Sequence, residues 1–289
     1  MHFIVLIAIA AQLSPAQIRN KPDATFDEIV SLPLVYTAPN IDRVIEKRDL
    51  TYKKTADGDL RMDAYLPRDS RTSHPVVVFI HGGVGPGTHP KEWGIYRSWG
   101  RTIAASGLVA VIPNQRLGFP ARRYAEGASD IRDAMEFIRT HLREMRSDDR
   151  FCIIAFSGGG PLLSPFLKSP PADVKCLVGF YPILDTADTN NAEAEVTDAL
   201  RREYSAAATM ASLESPPIPL LIARAGRDQI PGVKESIERF SAIALQKNAN
   251  LTLLNHPTGK HGFDILDDDE RSREIIATAV EFMKRHLEK

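Results

Sequence analysis

A serine at the end of an apolar run is the residue of this chain whose surroundings best suit covalent chemistry. Ser157 follows the apolar residues 151–156, and three glycines follow it at 158–160. A short buried strand that turns sharply into a helix at a serine forms a nucleophile elbow, which requires small neighbours around the serine. Ala155 stands where the common G-x-S-x-G pattern has its first glycine, and alanine is small enough to fit. The stretch therefore predicts a nucleophilic serine, with a helix-capping serine as the alternative.

The chain must also supply a base, because a serine hydroxyl is a weak nucleophile at neutral pH. Histidine suits this task, since its imidazole takes up and returns a proton near neutral pH. Of the eight histidines, His261 stands out because it lies in the loop 259–263, between the last predicted strand and the last predicted helix. Such loops lie at the carboxyl edge of a parallel sheet, as the elbow does. His256, just before the loop, is the other candidate, although either histidine alone would be an ordinary loop residue.

The third group expected is a carboxylate that orients the imidazole and stabilises its charged form. Asp228 follows a predicted strand at 219–225, and Asp185 follows one at 174–181. We favour Asp228, because it places the three groups along the chain in the order serine, aspartate, histidine. The alternative for an aspartate in this position is a helix cap.

Glycines after another predicted strand could stabilise a negatively charged oxygen. Residues 81–85 read His-Gly-Gly-Val-Gly, and glycines let backbone N–H groups approach a substrate. We expect the N–H of Gly83, helped by Gly82 or Val84, to act together with the N–H of Gly158. No Gly-Lys-Ser/Thr follows, which argues against a phosphate-binding loop. The histidine that begins the segment is expected to brace the loop.

Strands and helices alternate around these residues, which predicts a mostly parallel, twisted sheet of about eight strands with helices on both faces. An antiparallel hairpin at 48–66, with a tight turn at Asp57-Gly58, precedes the alternation. Strands are predicted at 75–80, 108–112, 151–156, 174–181, 219–225 and 251–255. Helices are predicted at 99–106, 127–144, 160–167, 232–247 and 270–287. Residues 186–216 fit least well, and we favour a small cap over a longer helical crossover.

Composition and charge narrow the function classes. The 289 residues can bury one large α/β domain, and 43% hydrophobic with 25% charged residues is ordinary for a globular protein. The net charge of -1 is spread along the chain, which excludes a concentrated basic face for nucleic acid. Cys152 and Cys176 fall near the starts of apolar strands and are expected to be buried free thiols, with a disulfide as the alternative in an exported protein.

The N-terminus differs from the rest of the chain. Residues 3–11 are all apolar, a run too short to span a bilayer, which needs about 20 residues. The run and a small-x-small site near Ala16 predict a secretory signal peptide at 1–16, although no Lys or Arg precedes it. A lead-in at 17–43 and the α/β domain at 44–289 would follow, in a periplasmic or secreted protein. The alternative is an apolar segment packed on the domain of a cytoplasmic protein.

Over residues 45–289 the chain resembles the α/β-hydrolases, in particular the esterase/lipase group related to hormone-sensitive lipase, and it is also similar to dienelactone hydrolases. The motifs that carry the resemblance are the HGG motif at 81–83, the Y-R-L…F-P-A segment at 115–117 and 119–121, the elbow at 157–160, the acid loop at 226–228 and the base loop at 261–263. Gln115 replaces the usual tyrosine and Val84 the usual glycine. Ser157 stands where dienelactone hydrolases have cysteine.

The resemblance implies a serine hydrolase for small-molecule carboxylic esters with small or medium acyl groups, and no metal or organic cofactor. Ser157 would attack the ester, His261 would take its proton, and Asp228 would hold the imidazole. The alternatives are a lactonase of the dienelactone type, a non-catalytic binding protein of the same fold, and a peptidase of the prolyl-oligopeptidase type. That last group usually carries a propeller domain, for which the chain has no room.

The assignment of His261 as the base predicts a pH dependence. Hydrolysis should fall in acid at about pH 6–7, because a histidine ordinarily gains its proton near pH 6.5 and then cannot accept another. A rate profile of ester hydrolysis measures this. A rate that stays flat from pH 5 to 8 would contradict the assignment.

Overall fold

The described part of the chain is built around one β-sheet. The structure is a computed structural model that describes residues 13–83, 88–117, 123–187 and 196–288. In this part of the chain, eight strands pair in the order β1-β2-β4-β3-β5-β6-β7-β8. They are β1 Val44–Thr55, β2 Gly58–Pro67, β3 His74–Ile80, β4 Val109–Pro113, β5 Ser147–Phe156, β6 Val174–Phe180, β7 Leu220–Ala225 and β8 Leu251–His256.

Only the N-terminal side of the sheet is antiparallel. Strand β2 pairs antiparallel with both β1 and β4, and all other neighbouring strands are parallel. Thr55 pairs with Gly58 at the turn of the hairpin. Gly58 has a φ of +114°, a conformation that favours glycine. The predicted sheet of about eight strands, mostly parallel with an N-terminal hairpin, is confirmed, and the chain has the α/β-hydrolase fold.

Helices cover the sheet. The α-helices of the described residues are α1 Pro15–Arg19, α2 Phe26–Val30, α3 Gly94–Ala105, α4 Tyr124–Thr140, α5 Leu142–Met145, α6 Leu163–Lys168, α7 Asp198–Glu203, α8 Ala206–Ser212, α9 Val233–Gln246, α10 Phe263–Leu266 and α11 Glu270–Leu287. Helix α3 begins five residues before the predicted start at 99, with Trp93 as its extended N-terminal cap residue. Its first residue, Gly94, packs so closely that a Cβ there would overlap the carbonyl oxygen of Ser31.

Two neighbouring strands of the sheet, β3 and β4, are buried along their whole length. Every residue of β3 and of β4 is buried, which explains their continuous apolar sequences. Cys152 of β5 and Cys176 of β6 are paired in register and are buried free thiols, as predicted. Burial raises the pKa of the Cys152 thiol well above its usual range, so the thiol stays protonated.

The N-terminal lead-in packs against the domain. Ser14 caps α1, and the Arg19 guanidinium donates to the carbonyl oxygens of Ile265 and Pro33 at 2.7 and 3.0 Å. Residues 1–12 lie outside the described part, so the signal peptide and export stay predictions. No helix in the described ranges is both long and apolar enough to cross a membrane.

The segment 186–216 is described except for 188–195. It contains α7 and α8, and α8 packs against α6 and α9 through Ala206, Ala207 and Met210, which are buried. Tyr204, between the two helices, stacks on Tyr124 of α4 with ring centroids 5.1 Å apart. This segment is therefore attached to the helical layer, while its predicted role as a cap stays a prediction.

Close packing of α3 on β2 predicts the effect of one substitution. A Cβ on Gly100 would overlap the buried ring of Tyr65, so Gly100→Ala should lower the free energy of unfolding by about 1–3 kcal/mol despite alanine's better helix propensity. Urea unfolding measures this. In the matched variant Gly127→Ala, inside α4, the new Cβ meets a movable methyl group of Leu162 at 3.1 Å. An equal loss of stability in both variants would contradict the expectation.

Candidate active site

Strand β5 ends in a strained turn that presents Ser157. The serine has a φ of +49°, a left-handed conformation that is uncommon for a side-chain-bearing residue, and a 3₁₀ helix, Ser157–Leu162, follows at once. A Cβ on Gly158 would lie 2.7 Å from the backbone nitrogen of Gly83, and one on Gly160 would overlap the carbonyl oxygen of Ile183. Neighbouring backbone atoms thus leave no room for a side chain at these glycines.

The imidazole of His261 lies between Ser157 and Asp228. Its Nε2 is 2.9 Å from the Ser157 Oγ, and its Nδ1 is 2.7 Å from the Asp228 Oδ2. An ionised carboxylate only accepts hydrogen bonds, so Nδ1–H donates to Asp228, and the Nε2 of the neutral imidazole accepts from the Ser157 hydroxyl. The structure therefore brings the three predicted residues together in one hydrogen-bonded chain.

Backbone hydrogen bonds hold the acid loop against the base loop. The second oxygen of Asp228, Oδ1, accepts from the Ile230 N–H at 2.9 Å, which leaves Oδ2 for His261. The Arg227 N–H donates to the Gly259 carbonyl oxygen at 2.8 Å. The Asp228 side chain is fully buried, whereas that of His261 is 22% exposed. The imidazole can thus be reached from solvent while its orienting carboxylate is shielded.

The predicted oxyanion glycines differ in what their N–H groups do. Gly83 lies beside Gly158, as the steric contact above shows, so their backbones meet next to Ser157. The Gly82 N–H instead donates to the Tyr96 hydroxyl at 2.9 Å and is not free for a substrate oxygen. Gly82 therefore anchors the loop, contrary to its predicted role as a donor. Val84 lies outside the described residues.

Two side chains beneath this loop fix its path. The Nδ1 of His81 donates to the Gly82 carbonyl oxygen at 2.7 Å, and the Gln115 side chain donates to the His81 carbonyl oxygen at 3.2 Å. Burial lowers the pKa of His81 to about 4, so this histidine stays neutral at physiological pH. Its position agrees with the predicted bracing role. Residues 119–121 of the Gln115 motif lie outside the described part.

The rival acid and the rival base lie elsewhere. Asp185 accepts from Arg239 Nε at 2.8 Å and from the Ser205 hydroxyl at 2.9 Å. His256 is buried, and its Nε2 lies 3.0 Å from the Ser272 hydroxyl and 3.2 Å from an Asp269 oxygen, which links β8 to the start of α11. Neither residue is brought to the serine.

Two tyrosines at the site were not predicted. Tyr96 anchors Gly82, and the ring of Tyr181, directly after β6, packs on the His261 ring with centroids 4.5 Å apart. The position of Tyr181 past a strand's carboxyl end could have indicated it, whereas nothing local to Tyr96 in α3 does. The described residues contain no group of three or more His, Cys, Asp or Glu side chains that could hold a metal ion.

One curated protein matches a short stretch of this chain. The chain is 32% identical over 83 residues to the "Probable isoprenylcysteine alpha-carbonyl methylesterase ICME" of Oryza sativa subsp. japonica. The match covers 27% of this chain and 18% of that protein, so the chain spans less than a fifth of the length of the relative that it matches.

Two of the solved esterases that share the fold illustrate the similarity. Inhibited esterase B from Lactobacillus rhamnosis is 16% identical, with a TM-score of 0.68 over 86% of this chain and 89% of that one. The thermophilic esterase Est2 from the planctomycete Thermogutta terrifontis is 19% identical, with a TM-score of 0.68 over 86% and 94%. The same esterase with propionate bound is 21% identical, with a TM-score of 0.67 over 86% and 96%. These identities are low, so the similarity is one of fold.

The sequence profile of one family covers the centre of the chain. It matches residues 62–218, more than half of the 289, and this region contains residues 81–83 and the turn at Ser157. The acid and base loops lie beyond the match. With a match of this extent, the chain belongs to the BD-FAE family.

Proposed function

We propose that the protein is a serine hydrolase that cleaves carboxylic esters with small to medium acyl groups. The observation that carries the proposal is the pair of hydrogen bonds made by His261, at 2.9 Å to the Ser157 Oγ and 2.7 Å to the Asp228 Oδ2. This is the arrangement in which a histidine activates a serine hydroxyl and a carboxylate stabilises the resulting imidazolium.

In the first half of the reaction, the Ser157 Oγ attacks the ester carbonyl carbon and its proton passes to the Nε2 of His261. The N–H groups of Gly83 and Gly158 donate to the oxygen that becomes negative. As the tetrahedral intermediate collapses, the Nε2 proton passes to the departing alcohol and an acyl-serine remains. Asp228 holds the imidazole throughout and stabilises its positive charge.

In the second half, water takes the place of the alcohol. His261 accepts a proton from the water, whose oxygen attacks the acyl-serine carbonyl, and the same N–H groups stabilise the new tetrahedral intermediate. Collapse returns the proton from Nε2 to the Ser157 Oγ and releases the carboxylic acid. The enzyme is thereby returned to its starting state, with the Ser157 hydroxyl protonated.

The comparisons support this reaction class. The named relatives of similar fold are esterases, one of them solved with propionate bound, and the curated relative is named a methylesterase. Propionate is a short carboxylate, which favours a small acyl group. The position of His81 also supports the choice of His261, because His81 is buried and its Nδ1 donates to the Gly82 carbonyl oxygen at 2.7 Å.

Substitution of the proposed nucleophile tests the proposal. Wild type should hydrolyse a p-nitrophenyl ester series from acetate to dodecanoate, with an optimum among the shorter chains. Ser157→Ala should lose at least about 10³-fold in kcat, because no acyl-serine can form. Circular dichroism of both proteins controls for folding. An inactive wild type, or an active Ser157→Ala variant, would refute the proposed function.

A pair of glycine substitutions tests the oxyanion donors. Gly158→Ala should lower kcat by about 10²–10³-fold, because the new Cβ would push the Gly83 backbone out of position. Gly82→Ala is the matched control, since its Cβ would lie at an ordinary 3.4 Å from the Ser157 Cβ and the Gly82 N–H already bonds Tyr96. We expect a smaller loss in that variant, and equal losses in the two would argue against the assignment of the Gly158 and Gly83 donors.

A further inference from the structure

A second carboxylate lies close to the base loop. Asp264 of α10 is 0% exposed, and two other side chains donate hydrogen bonds to its oxygens. The Tyr181 hydroxyl donates to Oδ1 and the Trp99 indole N–H to Oδ2, both at 2.8 Å. Within the described residues no lysine or arginine forms an ion pair with it. A buried carboxylate with two neutral donors is costly, and burial raises its pKa.

Tyr181 connects this carboxylate to His261. Its ring packs on the imidazole with centroids 4.5 Å apart and the planes at 56°, while its hydroxyl bonds Asp264. At the other end, the Tyr181 N–H donates to the Ala223 carbonyl oxygen at 2.7 Å. Its φ of +38° is unfavourable for an aromatic residue and is maintained only because both ends are held. The Tyr181 ring is therefore held in a fixed position against the imidazole of His261.

The charges around the imidazole come from several elements. Asp228, after β7, bonds it directly, and Ser157, after β5, faces its Nε2. Lys260, its chain neighbour, is exposed and paired with Asp267 at 3.3 Å. Tyr181, directly after β6, and Asp264 of α10 complete the set, and Tyr96 of α3 contributes a neutral hydroxyl near them. Asp264 is thus a second buried carboxylate, connected to His261 through the Tyr181 side chain, whose hydroxyl bonds Asp264 and whose ring packs on the imidazole.

We propose that Asp264 is a positioning residue which, through Tyr181, orients the imidazole of His261 and favours its protonated form. The inference rests on the proposed function, in which His261 becomes an imidazolium when Ser157 attacks. A carboxylate in a site of low polarity attracts that positive charge, and the Tyr181 ring limits rotation of the imidazole. Two carboxylates would then stabilise one imidazolium, Asp228 by direct contact and Asp264 through the tyrosine.

The substitution Asp264→Asn tests this proposal, because it removes the charge of the carboxylate and keeps the shape of the side chain. In Asp264→Asn, the imidazole of His261 should take up its proton at a pH lower by about half a unit, a threefold change, because an amide attracts the imidazolium less. NMR titration of ring-labelled histidines measures this, with His261→Ala to assign the signal. Tyr181→Phe keeps the ring but removes a hydrogen bond that favours the ionised form of Asp264, so the carboxyl loses its charge more readily and the His261 titration should shift in the same direction. This variant serves if Asp264→Asn fails to fold.

The matched control is Asp63→Asn. Asp63 is also 0% exposed, but it lies in β2 and forms ion pairs with Lys91, at 3.1 Å, and with Arg48, at 3.8 Å. We expect the loss of the Asp63 charge to lower thermal stability and to leave the His261 titration unchanged.

The kinetics of Asp264→Asn provide a second readout. Its kcat per titrated active site on p-nitrophenyl acetate should fall about tenfold with KM unchanged. The acid limb of its pH–rate profile should move with the NMR titration.

The outcomes separate this inference from the proposed function. The NMR titration needs no substrate, so an unchanged His261 titration in folded Asp264→Asn and Tyr181→Phe would overturn the inference even if both variants were less stable. A shift in a protein that hydrolyses no ester would support the coupling of Asp264 to His261 and would overturn the ester-hydrolase proposal. A shift together with the tenfold loss in kcat would support both.

Discussion

The two hydrogen bonds of His261 depend on strand ends that are distant in the sequence. Ser157 lies 104 residues and Asp228 33 residues before the histidine, yet both reach its ring within 3 Å. This is possible because β5, β7 and β8 run parallel, so that their carboxyl ends lie at one edge of the sheet. A slip of one residue in any of these strands would turn its side chains to the other face and separate the three groups. The buried apolar strands thus set the geometry of the site.

Backbone strain at this edge is held by close packing. Ser157 and Tyr181, on neighbouring crossovers, both have positive φ, a conformation that costs about 1–3 kcal/mol for such residues. The Ile183 N–H donates to the Ser157 carbonyl oxygen at 2.9 Å and joins the two turns. Glycine at 160 lets these turns approach, since a Cβ there would overlap Ile183. The small residues of the elbow therefore serve the contact between two crossovers as much as the turn itself.

Burial gives the histidines of the site different roles. His81 is 1% exposed, and its low pKa keeps it neutral, so it serves as a hydrogen-bonding support for the Gly82 backbone. The His261 side chain is 22% exposed and is paired with a carboxylate, an environment that tolerates a positive charge. The positions of the two histidines in the sequence predicted these two roles, and the structure adds their physical basis in burial and in hydrogen-bond partners.

The sequence by itself determined the order of the elements and the three residues that meet at the sheet edge. Both depend on local patterns: apolar strands, helical periodicity, the glycines after Ser157, and polar residues placed just past strand ends. Tertiary structure alone decided which neighbouring groups support them. The Tyr96 hydroxyl, 14 residues along the chain, accepts a hydrogen bond from the Gly82 N–H. Asp264 accepts one from the Trp99 indole, 165 residues away in the sequence. Such contacts depend on how helices pack over the sheet, and packing between distant side chains leaves no periodic signal in the chain.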